Sequence, residues 1–439
     1  MDLLSLMPPE IAVKIFGFLE LRDLLNCQAV SKSWYDLTNN NLVWKTFWDP
    51  NLPLKECRPR KDLNWMFTPP CKWKMYYMNH MRIIRNWRED KYKRHEINGR
   101  WLETTAYDGQ TLVINNFGLE VYKIDKGNLV HMQKLKYKKY DAYMCATNTK
   151  YIAVKYRPFV LVYVQINDRY RVSHMLYNQG TEKKLTCIKH MKQMDKMNDR
   201  FPIYPYWSNL MCILGDTLFV YMPHIKVFYA WDMKNMRCLM DVEGSISDFL
   251  NDKSKVYICS DDLISVYDEM GNLCYEVKPH WPIGKVHINY NMILAVKSTQ
   301  DHMEVCAWEK GTGKEILVKT ISVSDDCILH PRLDILLDVV DAWQLERKEI
   351  YALDLKHDVT LWKTLIGEYS LLGDLHSIVA ERFLLFCTYS RHVFDIHDTK
   401  SGNYLYSLYG IDDDDVYASY DILIYANHKN VKLIVHIYS

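Results

Sequence analysis

The sequence predicts two structural classes in one chain: a small all-α N-terminal part with a helical connector, then an all-β propeller, eight blades favoured and seven the alternative. Three observations carry this. Ile11, Ile15 and Leu19 recur at the four-residue spacing of one helix face. From about Tyr92 the texture changes to short β-branched and aromatic runs separated by polar turns. Those runs then repeat in roughly eight units over about 350 residues, about 43 residues each, where propeller blades need about 40 to 45.

The first helix begins at Pro8-Pro9, which suits a first helical turn, and Gly17 weakens it near its end. A second apolar set, Leu24, Leu25 and Val30, follows Leu21-Arg22-Asp23, and a third segment carries Trp34 and Leu37. The run Thr38-Asn39-Asn40-Asn41 is capping and turn chemistry ahead of a last short helix over Leu42 to Trp48. A unit of about fifty residues covers only about 60% of its surface, so a surplus apolar face is expected that needs a partner. The chain then runs irregularly through Pro50, Pro53, Pro59, Pro69 and Pro70 before Trp73, Tyr76, Ile83, Ile84 and Trp87 restore helical spacing. The expected domains are residues 3–48, a connector over 49–91 and the propeller over 92–439.

The clearest blade units are Val256–Cys259 with Ile264–Asp268 and Cys274–Val277, and Met292–Val296 with Val305–Glu309. Comparable pieces begin near Leu112, Tyr151, Met211, Ile335, Phe383 and Ile422. Lys183 to Trp207, rich in Lys and Met, is expected as an inserted loop.

Composition removes several functions. Of 439 residues, 49% are hydrophobic and 25% charged, and the formal charge is +1, so no global field favours a polyanion, and nucleic acid is not an expected partner. The N-terminus lacks a basic region ahead of an apolar core of signal-peptide length, and no apolar run of about eighteen residues suggests a membrane span. The 12 cysteines show no CxxC pair and no zinc-finger spacing, and read as reduced thiols of an intracellular protein, cytoplasmic or nuclear. No glycine-rich phosphate loop, nucleophile elbow or metal-binding His pair occurs. The expectation is a non-catalytic chain with no cofactor and no metal. Arg58-Pro59-Arg60-Lys61 is too short a basic cluster to assign a nuclear address. Asp412 to Asp415 lack the spacing and glycine of a calcium loop and suit a solvated turn.

Met7-Pro8-Pro9-Glu10-Ile11 with Ile15-Phe16, Phe18-Leu19, Leu21, Asp23-Leu24, Val30-Ser31, Trp34-Tyr35 and Leu42-Val43-Trp44 resembles the F-box pattern throughout its length. Met7 stands where that family usually has Leu, a swap that conserves volume. Trp73, Tyr76, His80 and Asn86-Trp87-Arg88 resemble the connector of F-box/WD-repeat proteins. Blade signatures are sparser: Trp231-Asp232 spells the WD dipeptide, Tyr267-Asp268, Trp308-Glu309 and Leu353-Asp354 approximate it, and the usual Gly-His pair is missing.

The resemblance implies that Pro8, Ile11, Ile15, Phe16, Leu19, Leu24, Leu25, Val30 and Trp34 dock a Skp-type adaptor and through it a cullin. The propeller would then hold a target protein for ubiquitination. The alternative is a propeller scaffold that assembles a regulatory complex through its F-box without ubiquitin transfer. By the same resemblance, turns between the second and third strands of each blade share one face. Arg157, Lys226, His302, Arg347, Lys348, Arg391, His392 and Lys429 fall near them. Such cations suit a phosphorylated target. Polar turns also carry Lys and Arg for solvation alone, and Asp261-Asp262 and Asp301 interrupt the ring.

Overall fold

In this computed structural model the described residues are 6–47, 69–99, 102, 104–115, 118–135, 144–156, 159–178, 185–188, 210–222, 225–252, 254–299, 302–321, 327–342, 347–365, 373–388, 393–411, 416–427 and 431–439. They divide into two compact units, residues 1–92 with 438–439, and residues 93–437.

The first unit is helical: α1 Pro9–Phe16, α2 Leu21–Gln28, α3 Lys32–Thr38, α4 Asn41–Thr46 and α5 Lys72–Arg88. Local chemistry sets the starts of α1, α3 and α4. Pro9 occupies the first turn of α1, where its missing N–H costs nothing. Ser31 Oγ accepts from the Trp34 amide at 3.2 Å to cap α3, and Asn40 Oδ1 accepts from the Leu42 amide at 2.8 Å to cap α4. Ala12, Phe16, Leu24, Val43 and Trp44 form the core of the unit. The flanking asparagines have a longer reach. Asn39 bonds the carbonyl of Pro69 at 2.8 Å and the amide of Cys71 at 2.7 Å, and Asn41 Oδ1 accepts from the Trp73 amide at 3.2 Å. One polar run therefore caps a helix and fastens the start of α5, 30 to 32 residues further along the chain. At the other end of α5, the Trp87 ring stacks on Tyr438 with centroids 3.6 Å apart, and Asn86 Nδ2 donates to the Ser439 carbonyl at 3.0 Å.

The second unit is an eight-bladed propeller of antiparallel sheets. Blades 1 to 7 take residues 104–134, 144–188, 211–243, 248–277, 285–321, 328–365 and 373–409. Blade 8 takes residues 416–437, and its outer strand is Lys93–Asn98, paired in full register with Lys432–Ile437. Consecutive blades share apolar seams, among the described residues from blade 1 through blade 7 and from blade 8 back to blade 1. Blade 4 shows the reason. In its second strand, Lys255–Cys259, Val256 and Ile258 pack toward blade 3 while Tyr257 and Cys259 pack toward blade 5. A strand covered on both faces reads as a continuous apolar run, which is why the second and third strands stand out in the sequence. The innermost strands, such as Ile328–Leu329 and Val416–Ala418, are too short to announce themselves.

The repeated turns have two side-chain devices. Between first and second strands an Asx-type acceptor gathers two amides: Asp108, Asn148, Asp252 and Asn289 each do this, and His330 Nδ1 takes the same role with Arg332 and Leu333. Between third and fourth strands Asp232 accepts from the Lys234 and Asn235 amides, Asp268 from Met270 and Asn272, and Asp354 from Lys356 and His357. The acid of the WD-like dipeptide thus closes a hairpin turn without a Gly-His partner. Asp398, preceded by His397 and invisible as a dipeptide signature, accepts from the Lys400 amide and from Arg382.

The segment expected as an inserted loop contributes a fifth strand to blade 2, Leu185–Ile188, paired with Met175–Asn178. Its remainder, together with Arg58 to Lys61 and Asp412 to Asp415, lies outside the described residues. Among the described residues no helix is long and apolar enough to cross a membrane.

Candidate functional site

In α1 the four-residue period separates two pairs. Ala12 and Phe16, one turn apart, face the core, and Ile11 and Ile15, also one turn apart, face solvent. Phe16 meets Trp34 edge to face at 5.9 Å. Trp44 Nε1 donates to the Thr38 carbonyl at 3.0 Å and its ring packs on Tyr77 of α5 at 5.7 Å. Lys74 is buried beside these rings, its ammonium 4.6 Å from the Tyr35 ring and 5.5 Å from that of Trp44, and donates to Gln28 Oε1 at 2.7 Å. Burial lowers its pKa, and the aromatic faces and the amide oxygen compensate the charge that stays.

Of the nine side chains expected on the docking face, Pro8, Ile11, Ile15, Leu25 and Val30 are exposed. Leu19 and Trp34 are half-buried against the core. Phe16 and Leu24 require correction: at 1% and 0% exposure they are the interior of the unit, where they pack with Ala12, Val43 and Trp44. They hold the face in place and do not form it. The exposed set includes side chains absent from that expectation, Phe18 at 90% and Leu42 at 67% exposure, with Leu6 and Met7 beside the start of α1. Their signal was present, since Phe18 and Leu42 belong to the matched pattern. Helical phase alone does not sort Phe18, which follows the end of α1.

In the propeller, alternation of antiparallel strands places the second-to-third turns at one end of each blade and the first-to-second turns at the opposite end. Lys226 sits in such a turn, exposed and with φ of 53°. His302 occupies another, half-buried, its carbonyl accepting from Thr299 Oγ1 at 2.7 Å. Arg347 and Lys348 begin the third strand of blade 6, paired with Ala342 and Asp341. Asp261 and Asp262 are exposed in the matching turn of blade 4, and Lys278 lies 3.5 Å from Asp262. Acids and bases share this end. Arg157, Arg391, His392 and Lys429, as well as Asp301, lie outside the described residues.

Comparison with known proteins bears on both units. Residues 4–48 match the family model described as F-box-like. A stretch of 91 residues is 34% identical to F-box/WD repeat-containing protein 7 of Drosophila melanogaster, and it makes up 20% of this chain and 7% of that relative's length. Among solved structures, Sqt1 of Saccharomyces cerevisiae is similar with a TM-score of 0.50 at 9% identity, over 79% of this chain and 98% of that one. BamB from Moraxella catarrhalis gives 0.48 at 10% identity over the same shares. The likeness to Sqt1 concerns the fold alone. Residues 4–48 are an F-box-like domain, and a propeller follows on the same chain.

Proposed function

For a chain of this F-box/WD-repeat type, we propose that it is the target-binding subunit of a Skp–cullin–F-box ubiquitin ligase. One observation carries the reading: the F-box-like unit completes its own core yet leaves Ile11, Ile15, Phe18, Leu25, Val30 and Leu42 in solvent. Burying one such side chain contributes about 1.5 to 3 kcal/mol, so a few anchors offset the entropic cost of association. The adaptor would cover these side chains and the propeller would hold the target near the ubiquitin donor. Catalysis by this chain is then proximity, with no nucleophile of its own. Its place would be the cytoplasm or nucleus, in keeping with a sequence whose cysteines form neither a CxxC pair nor a zinc-finger spacing.

The test pairs Ile15→Asp with Leu25→Asp, both on exposed positions, so the fold survives while two charges enter the apolar face. Adaptor capture should fall at least a hundredfold with no change in melting, and the bound target should accumulate in cells. Undiminished adaptor capture would overturn the docking face. Lost capture with unchanged target turnover would leave the chain as a non-degradative scaffold.

For the target side we propose the end of the blades that carries the second-to-third turns, read by cations toward a phosphorylated protein. Alanine at Arg157, Lys226 and Arg391 together should abolish capture of the phosphorylated target and leave the adaptor bound. Capture that is equal before and after phosphatase treatment would end this reading.

A further inference from the structure

We propose that His280, Cys306 and Glu315 form a divalent-metal site of zinc type on the rim of the propeller. His280 lies on the connector between the outer strand of blade 4, Leu273–Val277, and the inner strand of blade 5, Lys285–Ile288. Cys306 is on the third strand of blade 5, Met303–Glu309, and Glu315 opens its outer strand, Glu315–Ile321. The three are brought together only by the fold.

The donor geometry fits a small tetrahedral ion. His280 Nε2 lies 2.9 Å from Glu315 Oε2, Cys306 Sγ lies 3.6 Å from the same oxygen, and all three donor atoms fall within 4.8 Å of one another. Tetrahedral zinc, with bonds of about 2.0 to 2.2 Å to nitrogen and oxygen and about 2.3 Å to sulfur, holds such donor pairs roughly 3.3 to 3.6 Å apart. The sulfur–oxygen pair is already at that spacing, the nitrogen–oxygen pair needs to open by a few tenths of an ångström, and the nitrogen–sulfur pair, within 4.8 Å, closes toward it as the exposed imidazole turns.

The ligand set is also selective and held. Imidazole, thiolate and a single carboxylate suit zinc and its neighbours in the first transition row, and suit magnesium or calcium poorly. Among the described residues this is the group of three such donors that converges. Cys306 belongs to the apolar seam between blades 4 and 5, and Trp281, next to His280, packs on that seam. The site is therefore carried by packed elements on two of its three sides. His280 and Glu315 are 56% and 43% exposed, which opens the metal's path from solvent and leaves a fourth position for water or an atom from a bound protein. Burial and the neighbouring carboxylate push the Cys306 thiol up to about 12, so it is protonated at neutral pH. Binding exchanges that proton for the metal: the S–H bond breaks, the sulfur–metal bond forms and the proton goes to solvent. A bound ion would tie the connector to blade 5.

The experiment uses the full chain, reduced with a phosphine and stripped of metal, titrated with cobalt(II) and then with zinc(II). One equivalent of cobalt should give a thiolate-to-metal charge-transfer band and the strong visible bands of a tetrahedral ion, both removed by zinc. H280A and E315Q, at exposed positions, should retain the melting profile and each weaken binding at least tenfold. C306S should remove the charge-transfer band, and if it fails to fold the other two variants decide. No thiolate–cobalt band in the wild type would overturn the site. So would an undiminished band in both H280A and E315Q, which would assign the metal to other thiols such as the exposed Cys238 and Cys274.

Discussion

The two units solve the burial problem in opposite ways. The second and third strands of a blade are covered on both faces by neighbouring blades, so Val256 and Tyr257, adjacent in sequence and opposite in direction, are both fully buried. The N-terminal helices have no such neighbours, and Ile15 is exposed while Phe16, the next residue, is not. A large apolar residue in those two strands therefore speaks of stability, while the outer strands leave Val130, Ile316, Val359 and Tyr409 exposed. In the N-terminal unit its meaning depends on helical phase, and Ile11, Ile15, Phe18, Leu25, Val30 and Leu42 stay in solvent.

The largest expected contrast is with acid. Burial lowers His287 and His330 to about 4 and His436 to about 3, with Lys285, Arg332 and Lys400, and Arg94 respectively adding to it. These folded values lie below the unfolded value of about 6.5, so the unfolded chain binds more protons as pH falls. Stability from these groups is complete above about 6.5 and declines toward 4, by an amount on the order of several kcal/mol in total. The propeller should lose melting temperature between pH 7 and 5, before most carboxylates titrate. His330→Asn, which keeps an acceptor for the Arg332 and Leu333 amides, should flatten that slope, and an unchanged slope would break the assignment.

Next in size is the core of the helical unit. Leu24→Ala should cost about 2 to 5 kcal/mol and Leu25→Ala well under 1, measured by denaturant unfolding of the same chain. Equal costs would erase the distinction between holding the face and forming it. The smallest effect is at a single turn. Asp232→Ala leaves the Lys234 and Asn235 amides without their acceptor and should cost about 1 to 2 kcal/mol, while Asp232→Asn should recover most of it. A cost confined to blade 3 would show in hydrogen exchange as local fraying of Val227–Asp232 and Arg237–Glu243.

What was legible follows from the same physics. Blade number and the buried middle strands were readable because two-sided burial writes continuous apolar runs at a fixed period. The helix around Trp73 and Trp87 was readable from its spacing. Most of the innermost strands were not, since two to four residues leave no pattern, Gly373–Val379 being longer. The placement of Phe16 and Leu24 inside the unit was hidden because an F-box pattern records which positions are apolar, not which way they face. Asn39 and Asn41 looked like local caps, and their bonds to Pro69, Cys71 and Trp73 span a segment no spacing rule crosses. The trio around Cys306 was beyond reach for the same reason: His280 and Glu315 are 35 residues apart and meet only across two blades.

Blade 8 sets an order of assembly. Glu96 and Lys432, 336 residues apart, lie in the two strands that close the ring, so during synthesis the strand Lys93–Asn98 leaves the ribosome long before its partner exists. Until then it belongs to no sheet, and the ring is a row of blades with an open seam. Such distant pairing slows folding and makes the last strand the step that commits the chain. A nascent chain that stops short of residue 432 has every other blade and no closed ring.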